Sequence, residues 1–157
     1  MCGIGGYFLR PGGTVPTAVL DRMEQALGHR GPDGSGRYTD SQVGFIHTRL
    51  SIVDLANGAQ PFIAPAEDGG KVLIANGEIY NHTALRQSHC AGYEFGSNSD
   101  CETVLALWAR HGNAALRQLR GMYAAALHDP GSGEGLLIRD PFGIKPLYVI
   151  EDERGVF

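Results

Sequence analysis

No run in the sequence approaches the roughly 18 consecutive apolar residues of a membrane span, and the first residues lack the charged-then-apolar order of a secretory signal. A cytoplasmic protein without a membrane partner is expected. Basic residues are few. Thirteen Lys and Arg stand against 17 Asp and Glu, a net charge of −4 with no basic block, which disfavours a nucleic-acid partner. Cysteine is scarcer still. Cys2, Cys90 and Cys101 are odd in number and have no C-x-x-C spacing, which argues against a disulfide framework and a zinc knuckle. Six histidines, at 29, 47, 82, 89, 111 and 128, include no H-E-x-x-H pair, so no metal site is expected. There is no P-loop and no G-x-G-x-x-G run, which leaves nucleotide binding by this chain unsupported. No repeat or low-complexity boundary divides the 157 residues, enough for one domain with its own core.

Glycine is the residue present in excess, with 23 spread along the chain, which reads as many tight turns between short strands. Residues 2 to 9 (CGIGGYFL) predict a strand, and PTAVLDRMEQALG a helix stopping at Gly28. HRGPDGSGRYTD reads as a polar loop. Strands are expected over 43 to 47 and 71 to 76, separated by the irregular TRLSIVDLANGAQP, and a short helix around 82 to 88. Ser99 and Glu102 spell a capping box, placing a helix from about Asp100 to Gly112, with AALRQLR as a short second one. MYAAALHD, GLLIRD and PLYVI read as strands, with DPFG as a turn. Short strands joined by turns, with grouped helices, predict an α+β fold with antiparallel sheets.

Four features can carry chemistry. Cys2 becomes an N-terminal nucleophile if Met1 is removed, its α-amino group serving as base; the competing reading is a strand cysteine in the core. Its neighbours Gly3, Gly5 and Gly6 would give a substrate or another backbone room to approach. NGEIYN, at 76 to 81, offers Asn76 and Gly77 as two donors to an oxyanion, against a reading of Asn-Gly as a type I′ turn. Arg49 at a strand exit suits bidentate capture of a carboxylate, though a surface arginine is the more frequent case. Asp100 is either a counter-charge for an ammonium or an acidic first-turn residue stabilised by the helix dipole. A Cys–His thiol hydrolase pairing Cys2 with His47, and a binding module without activity, remain as other readings.

CGIGG, HRGPDGSG, RLSIVD, GAQP, NGEIYN, SDCE, GMYAAALHD and RDPFGIKPLY, in that order from end to end, resemble the class II glutamine amidotransferase domain. This is an N-terminal-nucleophile hydrolase, here in the version found in glutamine-dependent asparagine synthetases. The resemblance implies a four-layer α/β/β/α sandwich of two mainly antiparallel sheets across residues 1–157. It implies Cys2 as nucleophile with its α-amino group as base, and Asn76 and Gly77 as the oxyanion hole. L-glutamine would be held by Arg49 at its α-carboxylate and by Glu78 and Asp100 at its α-ammonium. Backbone groups of Leu50, Ser51, Ile52 and Val53 would line the same pocket. No cofactor is implied for this domain. ATP and Mg belong to a synthetase domain or subunit that receives the ammonia and is absent from this chain, which is expected to be an excised or truncated domain or a separate subunit. A homodimer is among the expected assemblies.

Overall fold

The computed structural model describes residues 2–16, 18–51, 54 and 57–157. Their elements run β1 (Gly3–Leu9), α1 (Val19–Leu27), β2 (Gly34–Thr39), β3 (Val43–Arg49), β4 (Phe62–Ile63), β5 (Val72–Ile79), α2 (His82–His89), α3 (Glu102–His111), β6 (Gly121–Asp129), β7 (Glu134–Arg139) and β8 (Gly155–Val156). Two four-stranded sheets form, ordered β2-β3-β1-β8 and β4-β5-β6-β7, and every strand pair in them is antiparallel. No helix among the described residues is long and apolar enough to cross a membrane.

Side-chain alternation along the strands explains how these elements stack. On β5, Val72 and Ile74 join Val43 and Phe45 of β3 and Ala126 of β6 in a core between the two sheets. The intervening Leu73, Ala75 and Ile79 face the other way and pack with Val104, Leu105, Leu107 and Trp108 of α3 and Leu85 of α2. Each such side chain taken fully from water contributes about 1.5–3 kcal/mol. On the far side of the first sheet, α1 lies over β1 because Gly3 and Gly5 leave it space. A Cβ at Gly3 would stand 3.1 Å from Leu27 Cβ, and one at Gly5 3.2 Å from Leu27 Cδ1. The layers are therefore α1, sheet, sheet, and α2 with α3, the expected four-layer sandwich. The room at Gly3 and Gly5 serves a helix and that at Gly6 the β3 backbone, where a Cβ would lie 2.5 Å from the Gly44 carbonyl oxygen; of the two expected uses, substrate or another backbone, the second is found at Gly6.

Other local expectations are corrected too. The GSGRYT part of the expected polar loop is strand β2, an edge strand held by its ladder to β3 rather than by buried side chains. At Gly28 the backbone stays right-handed and the chain continues as a 3-10 turn to Arg30. The strand expected to stop at Asn76 runs on to Ile79, with Asn76 opposite Ala124 and Gly77 opposite Tyr123. This excludes the Asn-Gly turn. Gly77 is required there because a Cβ would lie 2.2 Å from the Met122 carbonyl oxygen.

Helix α3 starts at Glu102 and lacks the expected capping box. The Glu102 carboxylate instead accepts the Gly96 and Ser97 N–H groups, both at 2.8 Å, and the Ser97 hydroxyl at 2.6 Å. AALRQLR falls in a 3-10 helix, Asn113–Gln118. PLYVI forms no strand: Tyr148 and Ile150 are 87% and 67% exposed, so no buried face holds it to a sheet.

The RDPFGIKPLY segment is instead organised by Asp140, which is 4% exposed. Its carboxylate accepts N–H groups from Tyr123 (3.2 Å), Phe142 (3.1 Å), Ile144 (2.9 Å) and Lys145 (3.0 Å). Burial alone would raise its pKa, but these four donors outweigh burial and leave it below the ordinary carboxylate value. A lowered native pKa contributes stability above the unfolded-state value near 3.9, and that contribution is lost as pH falls through the folded value. Asp140→Asn should therefore cost about 2–4 kcal/mol at pH 7. In thermal unfolding the gap between variant and wild type should narrow below about pH 4; equal stability at pH 7 would remove the clamp role.

Candidate active site

Strand alternation also assembles the polar cluster. Ile4 and Phe8 of β1 pack against the inter-sheet core, as do Val43 and Phe45 of β3 and Val72 and Ile74 of β5. Two residues further along each strand toward one end of the sandwich, the same face carries Cys2, His47 and then Arg49, and Asn76 and then Glu78. Apolar side chains thus fill the middle of the inter-sheet space and polar ones its end. There Cys2, Arg49, Leu50, Asn76, Gly77, Glu78 and Asp100 line one cavity. Ser51 does not join them: its N–H donates to the Asp33 carboxylate at 2.7 Å. Met1, Ile52 and Val53, the remaining expected participants, lie outside the described residues.

Cys2 is half-buried. The Leu50 N–H donates to its Sγ at 3.4 Å, the thiol points back to the Leu50 carbonyl at 3.7 Å, and Arg30 Nε donates to the Cys2 carbonyl at 3.2 Å. The HRGPDGSG motif therefore braces both Cys2, through Arg30, and the chain after β3, through Asp33. Arg49 is placed by β3 and gives one of its donors to the Asp54 carbonyl. Asp54 itself adopts a left-handed φ of 46° and accepts the Asn98 N–H at 2.7 Å, tying this segment to the one that carries Asp100.

The backbone of β5 presents the second wall. Even-numbered residues of its last half bond toward β6, as Tyr80 N–H does to the Arg120 carbonyl, and odd-numbered ones point to the opposite edge. Strand β4 covers that edge only opposite Val72 and Leu73. Beyond it, side chains substitute for a strand. The Gln60 amide accepts the Ala75 N–H at 2.7 Å and donates to its carbonyl at 3.1 Å, while the Asp100 carboxylate accepts the Ile79 N–H at 2.5 Å. Between the two caps, the Gly77 N–H points along this edge into the cavity, next to the Asn76 side chain. Two donors side by side on one cavity wall are suited chemically to an anionic oxygen. Asp100 is thus held by strand β5 as well as lying just ahead of α3.

His47, the histidine of the Cys–His reading, lines the same cavity, as do Gln60, Ser99, Cys101 and Lys145, which the sequence assigned to no site. His47 is 1% exposed, and burial together with the nearby Arg49 guanidinium lowers its pKa to about 4. An imidazole that weakly basic is a poor acceptor for a thiol proton near neutrality, which speaks against the Cys–His reading. The Gln60–Ala75 mimicry of a strand has no signature in sequence; GAQP shows only a turn-prone proline.

A family model described as glutamine amidotransferase domain matches residues 1–157. Asparagine synthetase B (glutamine-hydrolysing) of Escherichia coli K12 is 42% identical over 161 residues, covering 99% of this chain and 28% of that protein. A glutamine-hydrolysing asparagine synthetase 2 of Bacillus subtilis 168 is 40% identical over 154 residues, 96% of this chain and 20% of that protein. The chain thus spans less than a third of these relatives. A solved glutamine phosphoribosylpyrophosphate amidotransferase of B. subtilis, complexed with ADP and GMP, superposes with a TM-score of 0.74 at 24% identity, over 98% of this chain and 40% of that one. This likeness shows the fold.

The three thiols differ sharply in environment. Cys90 and Cys101 are each 3% exposed. Burial first, then the charges of Asp100, Cys2 and Glu78, push the Cys101 thiol well above the ordinary range, and burial raises Cys90 as well. At neutral pH iodoacetamide should modify Cys2 alone in the native protein, with all three modified after denaturation. Peptide mapping by mass spectrometry reads the outcome, and native labelling of Cys101 as fast as Cys2 would contradict the arrangement.

Proposed function

This chain belongs to the glutamine amidotransferase domain family, and from that premise we propose that it hydrolyses the side-chain amide of L-glutamine to glutamate and ammonia. The observation that carries the reading is the single cavity in which Cys2 faces the Asn76 side chain and the edge N–H of Gly77, with Arg49, Glu78 and Asp100 on its walls.

Removal of Met1 exposes the Cys2 α-amine, which takes the thiol proton as sulfur attacks the carboxamide carbon. The oxyanion rests on the Asn76 amide and the Gly77 N–H. As the C–N bond breaks, the α-ammonium returns its proton and ammonia departs, leaving a γ-glutamyl thioester on Cys2. Water then adds to the thioester with the amine again as base, and glutamate and the free thiol result. Arg49 matches the substrate's α-carboxylate, Glu78 and Asp100 its α-ammonium, and the backbone of Leu50 to Val53 shapes the same end. The cycle so written uses no metal or cofactor. We assign the ammonia to a synthetase activity like that named for the asparagine synthetase relatives, which would use ATP and Mg. A reducing compartment such as the cytoplasm suits a catalytic thiol.

Glutaminase assays test this directly. Cys2→Ala should abolish turnover while glutamine still binds, and an N-terminal extension that blocks the amine should do the same; activity surviving either change overturns the mechanism. Asn76→Ala should lower kcat by about 10²–10³-fold. Arg49→Ala should act chiefly on KM, and an unchanged KM would remove that assignment.

A further inference from the structure

Buried side-chain nitrogen and oxygen atoms without a hydrogen-bond partner fall on three of the described residues: His47, His82 and Tyr93. Tyr93 belongs to the core beneath the helices, and His82 to a shallow depression beside Glu78 and Tyr80. His47 alone has both ring nitrogens unpaired, and it alone lines the cavity that holds Cys2. Its ring approaches the Ala75 carbonyl, a contact that raises its basicity a little against burial and Arg49 but falls short of a well-formed hydrogen bond. A buried group left this way costs about 1–3 kcal/mol. Tyr93 is enclosed in its core, whereas His47 lines the cavity that holds Cys2, so a ligand that enters there and displaces its cover meets an imidazole with pairing capacity to spare.

Its position names the partner. Ile4 pairs with His47 and Gly3 with Thr48; continuing that register sets Cys2 opposite Arg49 and diagonal to His47 on the same face. The cavity has two walls: β5 with the oxyanion donors of Asn76 and Gly77, and β3 with His47 and Arg49. A carboxamide carbon attacked by Cys2 turns its oxygen to the β5 donors. Its nitrogen, about 120° away on the same carbon, then faces the β3 wall. Arg49 carries only donors there, whereas a neutral imidazole has one unprotonated nitrogen able to accept an amide N–H. Burial and Arg49 together keep the ring in that form near neutral pH.

We propose that His47 is a specificity-determining residue that accepts a hydrogen bond from the side-chain carboxamide nitrogen of glutamine and thereby separates substrate from glutamate. This rests on the glutaminase reading above. Glutamate offers two acceptor oxygens and no N–H, so it pairs with His47 only if the ring N–H is turned from the Ala75 carbonyl to the cavity, a change that glutamine does not require.

The test compares His47→Phe and His47→Gln with wild type in a glutaminase assay, with L-glutamate as competitive inhibitor and thermal unfolding alongside. His47→Phe should lower kcat/KM for glutamine by about 10–100-fold. It should also lower the ratio of glutamate Ki to glutamine KM at least tenfold, because glutamate depends less on the ring. Its Tm should equal or exceed that of wild type, because an unpaired buried group is gone. His47→Gln, which carries an acceptor oxygen, should recover most of the ratio. His47→Leu replaces the phenylalanine variant if the larger ring does not fold, with the same ratio expected. A wild type that turns over glutamine beside a His47→Phe ratio within twofold of it overturns this assignment alone. A wild type without turnover overturns the glutaminase reading, and this assignment with it.

Discussion

The face-to-face packing of two antiparallel sheets is the constraint on which the rest of the molecule depends. Once Val43 and Phe45 meet Val72, Ile74 and Ala126 between the sheets, the two-residue period of a strand leaves no choice about what lies further along the same faces. Cys2, His47, Arg49, Asn76 and Glu78 must point into the same gap. A slip of one residue in β1 or β5 would send the thiol toward α1, or the oxyanion donor toward α3. The apolar core and the cavity are therefore two stretches of one interlayer, and register errors that damage the first would dismantle the second.

The other requirement is an edge that stays open. A β5 strand fully covered by β4 would satisfy its backbone and leave no N–H for an oxyanion. The covering strand is only two residues long, and beyond it Gln60 and Asp100 take the groups on either side of Gly77. An unpaired strand edge is otherwise a hazard for association with other chains; here it is narrowed to about one residue and turned inward, toward a small polar cavity.

Much of this was legible in the sequence, though at uneven depth. The order of eight motifs carried the four-layer fold and the residues of the cavity, because catalytic side chains must be of particular types at particular places. Local patterns did less well where tertiary contacts overrode them. GSGRYT has no apolar alternation, yet it forms an edge strand through its ladder to β3, with Tyr38 against the inter-sheet core and Arg37 paired to Asp21 and Glu24 of α1. Asn76-Gly77 carries the strongest hairpin signal in the chain and lies inside a strand, since its glycine admits the β6 backbone rather than a turn. Ser99 and Glu102 have capping-box spacing, but the carboxylate found two better donors in Gly96 and Ser97. His47 stood out in sequence only as a base for Cys2, a role its buried setting disfavours, and Asp140 looked like a turn aspartate until four N–H groups converged on it.

The groups that folding leaves unsatisfied are themselves informative. Glu102, Asp140 and Gln60 show how fully buried polar groups are paired at several places in this chain, Tyr93 and His82 being exceptions. Along the inter-sheet gap the pairing is left incomplete at one end, where an imidazole and a strand-edge N–H converge on a half-buried thiol. In the proposed reading each complements a part of glutamine: the thiol its carboxamide carbon, the N–H its oxygen, the imidazole its nitrogen. A structure optimised for stability alone would close each gap from within the chain, and the substrate would then have to displace those partners before it could bind. Leaving them open transfers that part of the stabilisation to the bound state, where it favours the ligand that supplies all three groups at once over one that supplies two.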